Sequence, residues 1–208
     1  MHSDCEFQGN QRNDLSRREW MATAVGLALQ GGILMSAYQN LSADDAKKKI
    51  DPQRAEKYLR RAIELARKGV AARDGGPFGA VVVKGDEIVG EGWNHVVSNS
   101  DPTAHGEIYA IRAAGSKLKT FDLTGCELYT SGEPCPMCLA ATYWARIDLV
   151  VYGFSIAQAA TVGFDDQYFY NQLALPMKER KVTEVQMLGN EAFQLLKDFA
   201  SNPDRVQY

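Results

Sequence analysis

The chain has 208 residues, 45% of them apolar and 24% charged, with a formal net charge of −3. Those are ordinary globular proportions, enough to bury the core of one domain with some length to spare. A pI near 5.7 argues against a nucleic-acid partner, which usually meets a basic patch, and neither repeats nor low-complexity segments are found.

Ser16-Arg17-Arg18-Glu19-Trp20-Met21 precedes an apolar run over residues 22–37. Paired arginines ahead of such a run read as a twin-arginine export signal over residues 1–40, which would send the protein to the periplasm. Gly26, Gln30, Gly31 and Gly32 dilute the run, and it falls short of the about 20 residues that a membrane span needs. Membrane association is therefore expected only through an uncleaved signal. Trp20 stands where such signals usually carry Phe, and neither Ala37 nor Ala43 completes a small-x-small cleavage site. The competing reading is an amphipathic helix or extension on a cytoplasmic protein. Residues 41–50 are polar and charged and read as a linker.

Asp51-Pro52 opens a predicted helix, with an N-cap acceptor and proline at the first helical position; Tyr58, Leu59, Ala62, Ile63, Leu65 and Ala66 recur at helical spacing to residue 72. Gly75-Gly76-Pro77 turns the chain into a strand over 78–83. Lys84-Gly85-Asp86 turns it again into a strand over 87–94. A loop over 95–103 leads to a helix reaching residue 117, with Ile108, Ile111 and Ala114 expected to face inward. Further strands are predicted at 127–131, 149–152 and 181–187. Helices are predicted from Cys135 to 145, over 155–161, over 165–175 and over 191–201. Strands alternating with helices imply a layered α/β domain, and the early hairpin makes its sheet mixed.

Two segments carry chemistry: His105-Gly106-Glu107 and Pro134-Cys135-Pro136-Met137-Cys138. One imidazole and two thiolates give three ligands for zinc and leave a fourth position open to water, whereas a structural site is normally closed by a fourth protein ligand. Zinc lowers the pKa of bound water from 15.7 to about 7, and a neighbouring carboxylate can relay protons. Glu107 is the acid inside the motif, and the two-residue step from His105 puts it on a neighbouring helix face. Cys135 sits at a helix N-terminus, which favours the thiolate. Either segment alone is weak: C-x-x-C also serves structural zinc sites and redox dithiols. Together they match the H-x-E…P-C-x-x-C signature of zinc deaminases that act on bases. Of the four cysteines, Cys5 lies in the signal region and Cys126 in a strand, as a small apolar residue.

Beyond that signature, the chain resembles the cytidine deaminase-like superfamily and, within it, the small bacterial and plant guanine deaminases. The resemblance runs over residues 51–208. It rests on Gly75-Gly76-Pro77-Phe78-Gly79-Ala80-Val81-Val82-Val83, Asp101-Pro102-Thr103-Ala104-His105-Gly106-Glu107-Ile108, Ala110-Ile111-Arg112, Glu133-Pro134-Cys135-Pro136-Met137-Cys138 and Gly163-Phe164-Asp165-Asp166. It implies a three-layer α/β/α fold with a mixed central sheet of about five strands and a Zn2+ cofactor on His105, Cys135 and Cys138. It implies conversion of guanine to xanthine and ammonia, with Glu107 shuttling protons. Asn94 would hydrogen-bond the purine, Phe78 and Phe164 would flank its ring, and Asp166 would contact its polar edge and assist proton transfer. Tyr208 would serve the neighbouring active site of a homodimer with exchanged C-terminal segments. Gly106 stands where the family often has Ala.

Plainer readings compete at single positions. Asn94 could be a turn residue, Phe78 and Phe164 ordinary core, Asp166 a helix cap and Tyr208 a frayed end. Tyr143 and Trp144 read as packing, and His2 and His95 carry no motif. The rival substrates are cytosine, adenine, a nucleoside, an aminotriazine and, against the acidic pI, tRNA adenosine. A different class altogether would be an exported C-x-x-C redox protein or a structural zinc module; the first leaves His105 and Glu107 without work, and the second needs a fourth ligand.

Overall fold

A computed structural model describes residues 50–206; the expected export signal, the linker up to residue 49, and Tyr208 lie outside the described residues. Helix α1 spans Pro52–Ala72, capped by the Asp51 side chain, which accepts from the Gln53 amide at 3.0 Å. Its buried stripe of Tyr58, Ala62, Leu65, Ala66 and Gly69 follows the helical repeat. Strand β1 (Gly79–Lys84) turns at Gly85, whose φ of +58° suits glycine, into β2 (Glu87–Trp93). A one-turn helix α2 (Val96–Asn99) leads to α3 (Gly106–Leu118), then β3 (Cys126–Gly132), α4 (Pro136–Trp144) and β4 (Leu149–Phe154). Short helix α5 (Ile156–Ala160), helix α6 (Asp166–Ala174), a 3₁₀ turn (Met177–Glu179) and α7 (Gly189–Ser201) complete the order.

The four strands form one mixed sheet in the order β2-β1-β3-β4, antiparallel except for the parallel pair β3–β4. Central β1 is apolar without alternation because helices cover both of its faces. Gly79 meets α1, where a Cβ would lie 2.2 Å from the Ala62 carbonyl oxygen. On the other face α3 presses on β2, so that a Cβ on Gly90 would lie 2.1 Å from the Ala110 carbonyl oxygen. Ala80, Val82, Leu128, Ala110 and Ala114 pack together there as the core. The three expected layers are present.

Three expectations are corrected. The sheet has four strands, not about five: among the described residues 181–187 pair with no strand, and Val182, Val185 and Met187 are exposed. Apolar–polar alternation makes a strand only where an edge and a surface receive it. Helix α3 turns Glu107, Ala110 and Ala114 inward, leaving Ile108 and Ile111 only partly buried. Small residues win that face because the β2 glycines bring helix and strand backbones together. The short helix α2 replaces part of what reads as loop.

Candidate metal centre and its cavity

Helices α3 and α4 bring their N-termini to one place. His105 is the N-cap of α3 and Cys135 the N-cap of α4, both with extended backbone and neither with a side-chain capping bond. Ser, Thr, Asp or Asn would cap better by about 1 kcal/mol. The two side chains turn instead toward each other, joined by Cys138 from the first turn of α4. His105 therefore precedes its helix, so loop geometry, not a shared helix face, sets it apart from Glu107.

His105 Nδ1 lies 3.6 Å from Cys135 Sγ and 3.5 Å from Cys138 Sγ, and the three ligand atoms fall within 4.8 Å of one another. A tetrahedral ion with Zn–N of 2.0–2.1 Å and Zn–S of 2.3 Å separates nitrogen from sulfur by about 3.6 Å. The donor set and its spacing thus fit zinc. Cys126, Cys135 and Cys138 are all free thiols, and Cys126 is buried in β3 as expected.

A hydrogen bond from the Cys138 thiol lowers Cys135 to about 4, against the opposing effect of burial and with help from His105. Cys138 is pushed far up by the same bond, by burial and by Glu107. Without metal the two sulfurs share one proton, which the ion would displace. The Cys135 thiolate in turn raises His105. Glu107 is 3% exposed, and burial raises its carboxyl; Thr130 Oγ1 lies 3.5 Å from its Oε1.

A cavity of about 410 Å³ opens over this group. It is walled by Phe78, Asn94, His105, Glu107, Cys135, Phe164 and Asp166, among others, so seven of the residues singled out from the sequence meet around one space. Asn94 is 5% exposed, and its Oδ1 accepts from the Gly76 and Val96 amides at 3.2 and 3.1 Å. Two N–H donors at one atom identify it as the oxygen, which leaves the Nδ2 donor for the cavity. The Phe78 and Phe164 rings meet edge to face with centroids 4.9 Å apart, so they form a corner and not a slot between parallel faces. Asp165, not Asp166, caps α6, accepting from the Tyr168 amide at 3.3 Å. Asp166 is thereby left to the cavity, where burial and the Cys135 thiolate raise it.

Glu133 and Phe169 also line the cavity and escape the sequence reading. Glu133 Oε2 accepts from the Ile156 amide at 2.9 Å, tying the ligand loop to the segment that carries Phe164 and Asp166. Its place beside Pro134-Cys135 was the signal that could have found it. A second hollow of about 600 Å³ shares His105, Cys135, Asp166 and Phe169 with the first. Tyr143 and Trp144 are 76% and 72% exposed, so neither is core packing within the described residues.

Comparison with known proteins points the same way. A profile of the cytidine and deoxycytidylate deaminase zinc-binding region matches residues 52–154. Guanine deaminase of Bacillus subtilis is 46% identical over 152 residues, which is 72% of this chain and 97% of that protein. A tRNA-specific adenosine deaminase of Haemophilus influenzae is 39% identical over 128 residues, 59% of this chain and 73% of the relative. The crystal structure of the Bacillus subtilis guanine deaminase superposes with a TM-score of 0.71 at 44% identity, covering 74% of this chain and 98% of that one.

Proposed function

The chain belongs to the cytidine deaminase-like family as a hydrolytic deaminase that acts on C–N bonds, and we propose that its substrate is guanine, released as xanthine and ammonia. The observation that carries this reading is the meeting of His105, Cys135 and Cys138 beside buried Glu107 at a cavity large enough to admit a purine, on a chain that covers 97% of a similar guanine deaminase.

His105, Cys135 and Cys138 would hold Zn2+, which when bound supplies the Lewis acid that makes water a competent nucleophile at neutral pH. Glu107 takes a proton from the attacking water and passes it to the ring nitrogen beside C2. As the C2–N bond breaks, Glu107 delivers the second proton to the departing amine, so water and guanine give xanthine and ammonia in balance. Burial suits this work, since a carboxyl raised by desolvation holds a proton between the two transfers. Asn94 donates from Nδ2 to the purine edge, and the corner of Phe78 and Phe164 takes the ring from one side. Asp166, relieved of capping by Asp165, reaches the polar edge and assists the proton's path.

We propose further that residues 51–208 are the deaminase domain and that the C-terminal segment, with Tyr208, is exchanged in a homodimer. Support comes from α7: Phe193, Leu196 and Phe199 are exposed along its length, an apolar stripe left uncovered by the described residues. The paired arginines support export through the twin-arginine route.

The test of substrate is ammonia release by purified zinc-loaded protein across free bases, nucleosides and aminotriazines. Guanine is expected to lead. Zinc-loaded protein that leaves guanine untouched would overturn the assignment.

A further inference from the structure

A half-buried cluster beside the cavity has no part in the chemistry described above. Its centre is Asp74. Asp74 Oδ2 accepts from Trp93 Nε1 at 2.8 Å and lies 3.6 Å from His95 Nδ1. A single carboxylate oxygen thus faces both sequence neighbours of Asn94. The Asp74 carbonyl accepts from the amides of Val97 and Ser98 at 2.9 and 3.0 Å, and its own amide donates to Gly69 at the end of α1. The rings of Trp93 and His95 meet at a tilt of 38° with centroids 4.8 Å apart, and His95 meets Tyr109 of α3, tilted by 42°, at 4.7 Å. Lys68 Nζ covers the outer face of Trp93 at 4.1 Å. The hydrogen bond from Trp93, and then His95, hold Asp74 below the usual carboxylate range.

We propose that Asp74 is a positioning residue that acts through Asn94, clamping Trp93 and His95 so that the Asn94 amide keeps its aim into the cavity. Asn94 sits where β2 ends; backbone bonds from the Asn94 amide to Phe78 and from the His95 amide to Ala104 hold the main chain there, and Asp74 adds a hold on the flanking side chains. The clamp ties that end to α1 through Asp74 and to α3 through Tyr109. It rests on the assignment of Asn94 to purine binding.

A double-mutant cycle on zinc-loaded protein with guanine tests it, with zinc content and melting temperature read alongside. Asn94→Ala is expected to lower kcat/KM by about 10- to 100-fold, the worth of a buried hydrogen bond or two. Asp74→Ala is expected to lower it about tenfold, chiefly through KM, and to add nothing in the Asn94→Ala background. Asp74→Asn, whose amide oxygen still accepts from Trp93, is expected to recover most of the loss. Should Asp74→Ala fail to fold, Trp93→Phe removes the donor, with part of the ring, while keeping an aromatic side chain, and enters the same cycle with the same non-additivity. An Asp74 effect that persists in full without Asn94, or no effect of Asp74→Ala where Asn94→Ala is impaired, overturns the clamp alone. Full kcat/KM in Asn94→Ala overturns the role of Asn94 and the clamp with it.

Discussion

The ligand-bearing half of the molecule and its C-terminal arm use apolar residues in opposite ways. Around the sheet, Val81, Val82, Val83, Leu128 and Cys138 are wholly buried, and helices approach strands so closely that several positions admit only glycine. Over residues 181–206 no side chain is buried among the described residues, although α7 carries Phe193, Leu195, Leu196 and Phe199 at amphipathic spacing. The first region buries its apolar side chains among the described residues; the second leaves an amphipathic pattern exposed there, which the proposed exchange between subunits would cover. Precision at the metal centre belongs to the first, since donors must be held within a fraction of an ångström. The arm has the composition of an interface.

The strongest challenge to that division is at Glu107. Glu107→Gln preserves shape and packing, so zinc content and melting temperature should stay near parent values while kcat falls by about 10³-fold or more. Residual turnover above a tenth of the parent would remove Glu107 from proton transfer. Removing residues 202–208 probes the other side: kcat/KM for guanine should drop by about 100-fold or more with zinc retained, and normal turnover would free the site from the arm. Gly90→Ala should cost about 3 kcal/mol, because its Cβ meets backbone on α3 and not a movable side chain, and calorimetry would read it as a lowered Tm. Leu196→Ser, by contrast, should leave the fold of one chain within about 0.5 kcal/mol while weakening self-association on sedimentation.

A smaller effect separates the regions by pH. The folded state raises Glu107 above its unfolded value, so folding is favoured by its proton at low pH. That contribution is lost as pH rises from the unfolded carboxylate range through the folded value. Zinc-free protein should therefore lose stability over that window, and Glu107→Gln should flatten the loss. Equal pH slopes in denaturant titrations of the two proteins would contradict the burial argument.

How much of this was legible in the sequence follows the same boundary. His105, Cys135 and Cys138 could be read from two motifs taken together, because metal chemistry restricts residue type and number. Asp51-Pro52 and Ser155 announce their helices through capping, which is local. Asn94, Phe78, Phe164 and Asp166 needed resemblance, since their meeting depends on strand ends and loops far apart in sequence. The hidden role of Asp165 shows why: two adjacent aspartates offer the same cap on paper, and only the backbone decides which one is spent. Residues 181–187 alternate like a strand yet pair with nothing among the described residues, because an alternating pattern specifies a face and not a partner. Asp74 was invisible for a like reason, since it acts on a segment about 20 residues away, and Glu133 had only its place beside Pro134-Cys135 to mark it.

Zinc K-edge absorption on freshly purified protein tests the centre most directly. Two sulfurs at about 2.3 Å with one imidazole nitrogen and one light atom near 2.0 Å are expected, at one zinc per chain. A shell of four protein donors, or protein free of zinc with Cys135 and Cys138 joined to each other, would contradict an open catalytic site.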